Sequence, residues 1–191
     1  MSPLFAAGAS TAFEIDASEL PALQGFFEQN PEYHLAIEGA PPGPTAAQEA
    51  FDSLPPEDWL FDRKWVIGVN DAEGRMIGMA SLIENLFVEG VWHIGLFIVA
   101  TRLHGLGTAP GLYRALEAWL REQGCRWIRL GVVEGNARAE RFWEKCGYRD
   151  VRKRLAVPMG ARVNDVRVMV KPLATASVRE YLSAVARDRT E

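Results

Sequence analysis

Trp92-His-Ile-Gly-Leu-Phe-Ile-Val-Ala-Thr-Arg-Leu-His-Gly-Leu-Gly-Thr-Ala-Pro-Gly-Leu-Tyr-Arg-Ala-Leu-Glu-Ala-Trp-Leu120 is the stretch on which the fold turns. Residues 94–99 are almost wholly apolar and stop short of Arg102, which predicts a strand covered on both faces. Beyond the glycines, Leu112, Ala115, Leu116, Trp119 and Leu120 recur at helical spacing, and Gly124 closes the helix. The local order is therefore strand, Gly-x-Gly, helix. Gly105 and Gly107 let the backbone turn its N–H groups outward, and the helix dipole adds partial positive charge at the same place. Such a loop is a candidate phosphate cradle.

Spacing excludes two familiar cradles. A Walker loop needs Gly-Lys-Ser/Thr, whereas Gly107 is followed directly by Thr108. A dinucleotide fingerprint needs a third small residue where this chain has Pro110. What remains, Arg102-Leu-His-Gly-Leu-Gly107, resembles the Gln/Arg-x-x-Gly-x-Gly/Ala loop of the GNAT superfamily of N-acetyltransferases. A second segment, Asn136-Ala-Arg-Ala-Glu-Arg-Phe-Trp-Glu-Lys-Cys-Gly-Tyr148, resembles that family's Asn-x-x-Ala-x-x-Phe-Tyr/Trp-x-x-x-Gly-Phe/Tyr segment over its whole length. Two motifs in the family's order, joined by a crossover helix as a parallel strand pair requires, are hard to meet by accident.

The resemblance implies a single-domain GNAT-like α+β fold over residues 1–191: a mostly antiparallel central sheet with one parallel pair at the cofactor slot, flanked by helices. Acceptor-side helices and a loop would occupy about 18–60, the acetyl-CoA-binding core about 64–172, and a C-terminal helical appendage about 175–191. It also implies an acetyl-CoA:amine N-acetyltransferase working by direct transfer in a ternary complex, with a small-molecule or peptide amine as acceptor. In such a site Gly95, Leu96 and Phe97 would bond the pantetheine arm through their backbone. Arg102, Leu103, His104, Gly105, Leu106, Gly107 and Thr108 would surround the pyrophosphate. Asn136 would contact the cofactor, though its place before the stripe Ala139, Phe142, Trp143 and Cys146 makes it equally a helix N-cap.

Many family members carry Tyr as general acid where this chain has Trp143, and an indole N–H has no accessible proton to give up. For the base, His93 lies two residues before the Gly95–Phe97 run, on the same strand face by simple alternation, and has the right ordinary pKa. Its bland alternative is a hydrogen-bonded histidine beside Trp92. Glu84, in an otherwise apolar run, competes for the role. The missing Tyr also leaves open a non-catalytic acyl-CoA-binding or regulatory domain.

Composition sets the outer limits. At 191 residues with 48% apolar and 24% charged residues, the chain is long enough to bury a core as one domain. A net charge of −4 with no basic stripe argues against nucleic acid and is compatible with a cationic acceptor. No charged leader and no span-length apolar run is present, which predicts a cytoplasmic protein without a membrane partner. Cys125 and Cys146 form no ligand cluster, so no metal is expected.

Strands are expected at 11–15, then at 64–69 and 76–87 as a hairpin, and at 150–157 and 164–171; helices are expected from Ser18 to Pro31 and over 46–54. The Pro- and Gly-rich stretch 31–44 reads as a loop. Tyr33 and His34, with Trp59 and Phe61, are candidates for the acceptor site or for a core closed under that loop. A terminal helix over 175–190 has an apolar stripe free to dock on the sheet or, as a homodimer, on a second copy.

Overall fold

Turn chemistry accounts for the first half of the sheet. In a computed structural model, which describes residues 3–190, β1 (Phe5–Ala7) and β2 (Ser10–Glu14) form a hairpin, and β2 pairs antiparallel with β3 (Arg63–Asn70). β3 pairs antiparallel with β4 (Met76–Glu84), as the turn signal between them predicts. The Asp71 carboxylate holds that turn by accepting from the backbone N–H of Glu73 and Arg75. β4 is shorter than its apolar run because Asn85 and Phe87 take left-handed φ angles of 52° and 74°, which a strand does not admit.

β5 (Val91–Val99) pairs antiparallel with β4 and parallel with β6 (Trp127–Val133). β6 continues antiparallel to β8 (Arg162–Pro172), and β8 to the edge strand β7 (Arg149–Met159). The order β1-β2-β3-β4-β5-β6-β8-β7 is thus antiparallel apart from the β5/β6 pair, the one joined by a crossover helix, α4 (Thr108–Glu122).

Helices cover both faces. Leu112, Leu116, Trp119 and Leu120 of α4 pack with Trp92, Ile94 and Ile128, where Trp65, Trp92 and Trp119 lie with ring centroids 5.3–6.3 Å apart. On the other face, Leu23, Phe26 and Phe27 of α1 (Leu20–Gln29) and Ala46 and Ala47 of α3 (Ala46–Asp52) close over Val66, Met79 and Ile98. Each of these large side chains contributes roughly 1.5–3 kcal/mol on burial, so both layers are needed.

Three departures from the expected organisation reach the site. Residues Glu32–Ile37 form a short helix, α2, inside the stretch read as loop; Pro31 supplies its fixed φ at the N-cap and the breakers begin only at Gly39. The C-terminal segment is a helix of Val178–Ala184, α6, then a 3-10 turn; Tyr181 and Val185 are buried on the chain's own sheet, so the stripe docks there. Third, in β5 Leu96 opposes Ser81 while Ile94 opposes Leu82, which makes Gly95 an extra, bulged residue. The bulge advances the alternation by one. Trp92, Ile94, Phe97 and Val99 face α4, whereas Leu96 and Ile98 face α1 and α3. The expectation that His93 shares a face with Phe97 is therefore corrected.

Candidate active site

Gly95 also marks where β5 and β6 part. Their pairing runs from Val91↔Trp127 to Ile94↔Leu130 and goes no further, so a gap opens beside residues 95–99. Ala100 donates its N–H to Ile77 on β4 at 2.8 Å, and by strand alternation Phe97 and Val99 direct their backbone groups the other way, into the gap.

At its far end the gap meets the glycine loop. Gly105 and Gly107 both sit at φ 80°, and Gly107 is the left-handed N-cap of α4. Neither glycine N–H has a partner in the protein among the described residues, and the first N–H groups of α4, Thr108 and Ala109, have none within the helix. The loop is fixed from below: Leu103 N–H bonds Ala100 O at 2.8 Å, and the His104 ring reaches Val99 O at 2.8 Å. Loop and gap together border a cavity of about 660 Å³, lined also by Arg138, Arg141 and Lys145 of α5 (Ala137–Lys145). Those three cations fall at i, i+3 and i+7, one helical face, a pattern that an apolar-stripe reading passes over. The Glu32 carboxylate at this rim accepts from the Thr101 hydroxyl, which holds its pKa below the ordinary range.

A second cavity of about 300 Å³ is lined by His93 to Gly95 of β5, Arg129 to Val133 of β6, β7 and α2. Tyr33, Phe97, Asn136, Ala139 and Trp143 border both cavities, so these five residues mark the junction. Asn136 is the N-cap of α5, its Oδ1 accepting from Ala139 N–H at 3.3 Å. Trp143 is buried in an aromatic stack with Phe97, Tyr113, Phe142 and Tyr148, and the Tyr113 hydroxyl donates to that of Tyr148 at 3.0 Å. The Tyr33 hydroxyl has no hydrogen-bond partner in the protein among the described residues.

His93 stands beside Arg129 in the parallel register, and the Arg129 Nη1 donates to its Nδ1 at 3.3 Å. Burial first, and then the guanidinium charge, push its pKa down to about 3. Arg129 is itself buried and donates to both oxygens of Asp188, at 2.7 and 3.2 Å, while the Tyr181 hydroxyl donates to Asp188 at 2.5 Å. The C-terminal segment, expected to be an appendage, thus backs the smaller cavity, its Asp188 holding the Arg129 that lines it.

Of the remaining sequence candidates, Phe97, Leu103, His104, Gly105, Gly107 and Asn136 come together at the larger cavity, and Tyr33, Trp59, His93 and Gly95 at the smaller. Others do not join them. Glu84 borders neither cavity and accepts the Trp65 indole N–H at 2.9 Å. His34 is packed edge-on against Phe27 at 5.0 Å, and Phe61 lies in the cluster around Tyr181. Leu96 faces α1, Leu106 is exposed, the Thr108 side chain borders neither cavity, and Arg102 turns to Asp71 at 3.8 Å.

A model of the acetyltransferase (GNAT) family matches residues 24–148. An uncharacterised N-acetyltransferase of Mycobacterium tuberculosis is 29% identical over 118 residues, covering 61% of this chain and 72% of that protein. The crystal structure of spermidine N-acetyltransferase from Vibrio cholerae, in complex with CoA and spermine, is similar with a TM-score of 0.65 at 20% identity, covering 86% of this chain and 96% of that one. The ribosomal-protein-S18-alanine N-acetyltransferase from Escherichia coli gives 0.62 at 18% identity, covering 88% and 96%. At these identities the structural likeness carries the fold.

Proposed function

Because the chain belongs to the acetyltransferase (GNAT) family, we propose that it transfers the acetyl group of acetyl-CoA directly to a primary amine in a ternary complex. The observation that carries this reading is the gap opened by the Gly95 bulge, with the Phe97 and Val99 backbone directed into it and the glycine loop at its end. Open N–H groups on Gly105, Gly107 and the first turn of α4, with Arg138, Arg141 and Lys145 alongside, suit a ligand with several phosphates. The V. cholerae neighbour is itself described with CoA bound. A thioester there supplies an acyl donor whose leaving thiol has an ordinary pKa near 8.5.

The residues divide the remaining work. Phe97 N–H polarises the carbonyl as the amine adds, an N–C bond forms, and the C–S bond breaks with the electron pair leaving on sulfur. Tyr33, at the junction of donor and acceptor cavities, donates a hydrogen bond to that sulfur. Burial raises the pKa of Tyr33 well above that of a free phenol, so the hydroxyl keeps its proton and the thiolate takes one from solvent. Trp143 shapes the junction. His93, held neutral and already accepting from Arg129, is a poor base, and no Asp or Glu among the described residues lines the acceptor cavity. The acceptor ammonium therefore gives one proton to water before it adds, the added nitrogen sheds a second to solvent as the amide forms, and the rate comes from positioning.

The test is CoA thiol release from acetyl-CoA on an amine panel, beside thermal stabilisation by CoA, ATP and NAD. Stabilisation by CoA alone with thiol release on some amine is expected. Stabilisation without release on any amine would favour the acyl-CoA-binding reading instead.

A further inference from the structure

The smaller cavity has an electrostatic character that the sequence total conceals. Among the described residues two guanidiniums line it, those of Arg129 and Arg154, and no carboxylate does. Behind them stand Arg152 and Arg187, and among the described residues Asp188 is the one carboxylate within 4.0 Å of any of the four. Asp188 is already taken: Arg129 holds both of its oxygens and Tyr181 a third bond, leaving Arg154 at 4.0 Å, beyond hydrogen-bond reach. Arg152 donates to the Arg187 carbonyl, and the Arg187 Nε is buried with no acceptor at all. Arg187 and Arg154 lie over the Trp59 ring at 4.0 and 5.3 Å and hold it as a cavity wall. Arg154 is thus a guanidinium with a 30% exposed side chain, repelled by three like neighbours, facing a cavity to which the described residues bring no counter-charge.

We propose that this cavity selects an acceptor amine bearing a carboxylate, whose negative group pairs with Arg154 while its amine points past Gly95 to the junction with the donor cavity. This rests on the acetyltransferase reading for the amine and on Arg154 for the anion. A volume of about 300 Å³ fits a free amino acid or a similarly small zwitterion, with Ile37, Val157, Met159 and Trp59 around its apolar part. A polyamine finds no carboxylate among the described residues here to neutralise it and meets two cations instead. Fork-to-carboxylate pairing also fixes orientation, which is what a transfer relying on positioning needs.

The experiment uses matched acceptors: free amino acids, each beside its carboxamide and its decarboxylated amine, with spermidine as the polycation, read as thiol release from acetyl-CoA. A kcat/KM at least about tenfold higher for the carboxylate member of a pair is expected, and Arg154→Gln should close that gap mainly through KM, with Arg154→Lys restoring part of it. Arg149→Gln, at an exposed position of β7 away from the cavity, should keep the preference. Removing Arg154 relieves repulsion among four cations, so the variant should fold. Binding is read separately by quenching of tryptophan fluorescence with the same amino acids and amides. Carboxylate binding lost in Arg154→Gln, with no transfer to any amine, would keep the anion site and overturn the acetyltransferase reading. Transfer that favours amides or spermidine, or a carboxylate preference that survives Arg154→Gln, would overturn the proposal and leave the acetyltransferase reading standing.

Discussion

His93 shows how far a neighbour changes a residue's chemistry. Its ordinary pKa suits a base, but burial and then Arg129 at 3.3 Å hold it neutral, with a pKa of about 3. The rise of kcat/KM with pH should therefore follow the acceptor's own ammonium and move when the acceptor is changed. His93→Gln should leave that limb where it is; a limb fixed near pH 6.5 for every acceptor, and lost in the variant, would return the base role to His93. Stability carries the opposite signature. Because the folded pKa lies below the unfolded 6.5, the unfolded chain binds more protons in between, so stability is complete above about pH 6.5 and declines as pH falls toward 3. Thermal melts at about pH 7 and pH 5 should show a smaller drop for His93→Gln than for wild type; His34, also shifted down by burial, supplies part of what remains. Tyr33→Phe tests the junction. Loss of its hydrogen bond to the leaving sulfur should lower kcat roughly 10-fold or more while the KM for acetyl-CoA changes little, and an unchanged kcat would remove the role.

At the scale of elements, the bulge in β5 and the two ends of α5 decide more than any strand length. The positive φ of Gly107 has a practical consequence for testing the loop. A Cβ there meets nothing within 4 Å, yet the left-handed conformation makes any L side chain strained by about 1–2 kcal/mol, so a Gly107→Val variant confounds folding with binding. The cations of α5 are the cleaner probe. Arg141→Glu, on a helix whose apolar stripe is untouched, should weaken CoA binding about tenfold in calorimetry, with a smaller effect at high salt. Equal affinity of the two proteins at low salt would move the phosphates away from α5.

For the whole molecule, the C-terminal segment ties β6 to β7, since Asp188 accepts from Arg129 and the Arg187 carbonyl from Arg152. Asp188 and Arg129 are both almost wholly inaccessible, and removing one charge leaves the other buried without a partner. Asp188→Ala should cost about 3–5 kcal/mol in denaturant unfolding, and a loss under about 1 kcal/mol would mean that Arg129 finds another partner or water. No helix among the described residues is long and apolar enough to cross a membrane.

Sequence alone determined the crossover: apolar strand, Gly105 and Gly107, the stripe of α4, and the Asn136-to-Tyr148 segment are local patterns read by neighbours in the chain, and they gave the order of elements and the GNAT likeness. Trp143 as a core side chain and Asn136 as an N-cap were legible for the same reason. Face assignment across Gly95 was not, because a bulge is a mismatch between two strands and exists only in their pairing. Nor was the small helix at Glu32–Ile37, whose His34 packs edge-on against Phe27. Above all, the cationic lining of the smaller cavity was beyond sequence: a net charge of −4 says nothing of where charges gather. Residues 129, 152, 154, 187 and 188 come from β6, β7 and the C-terminal segment, and only their packing against one another brought four scattered arginines and one aspartate together.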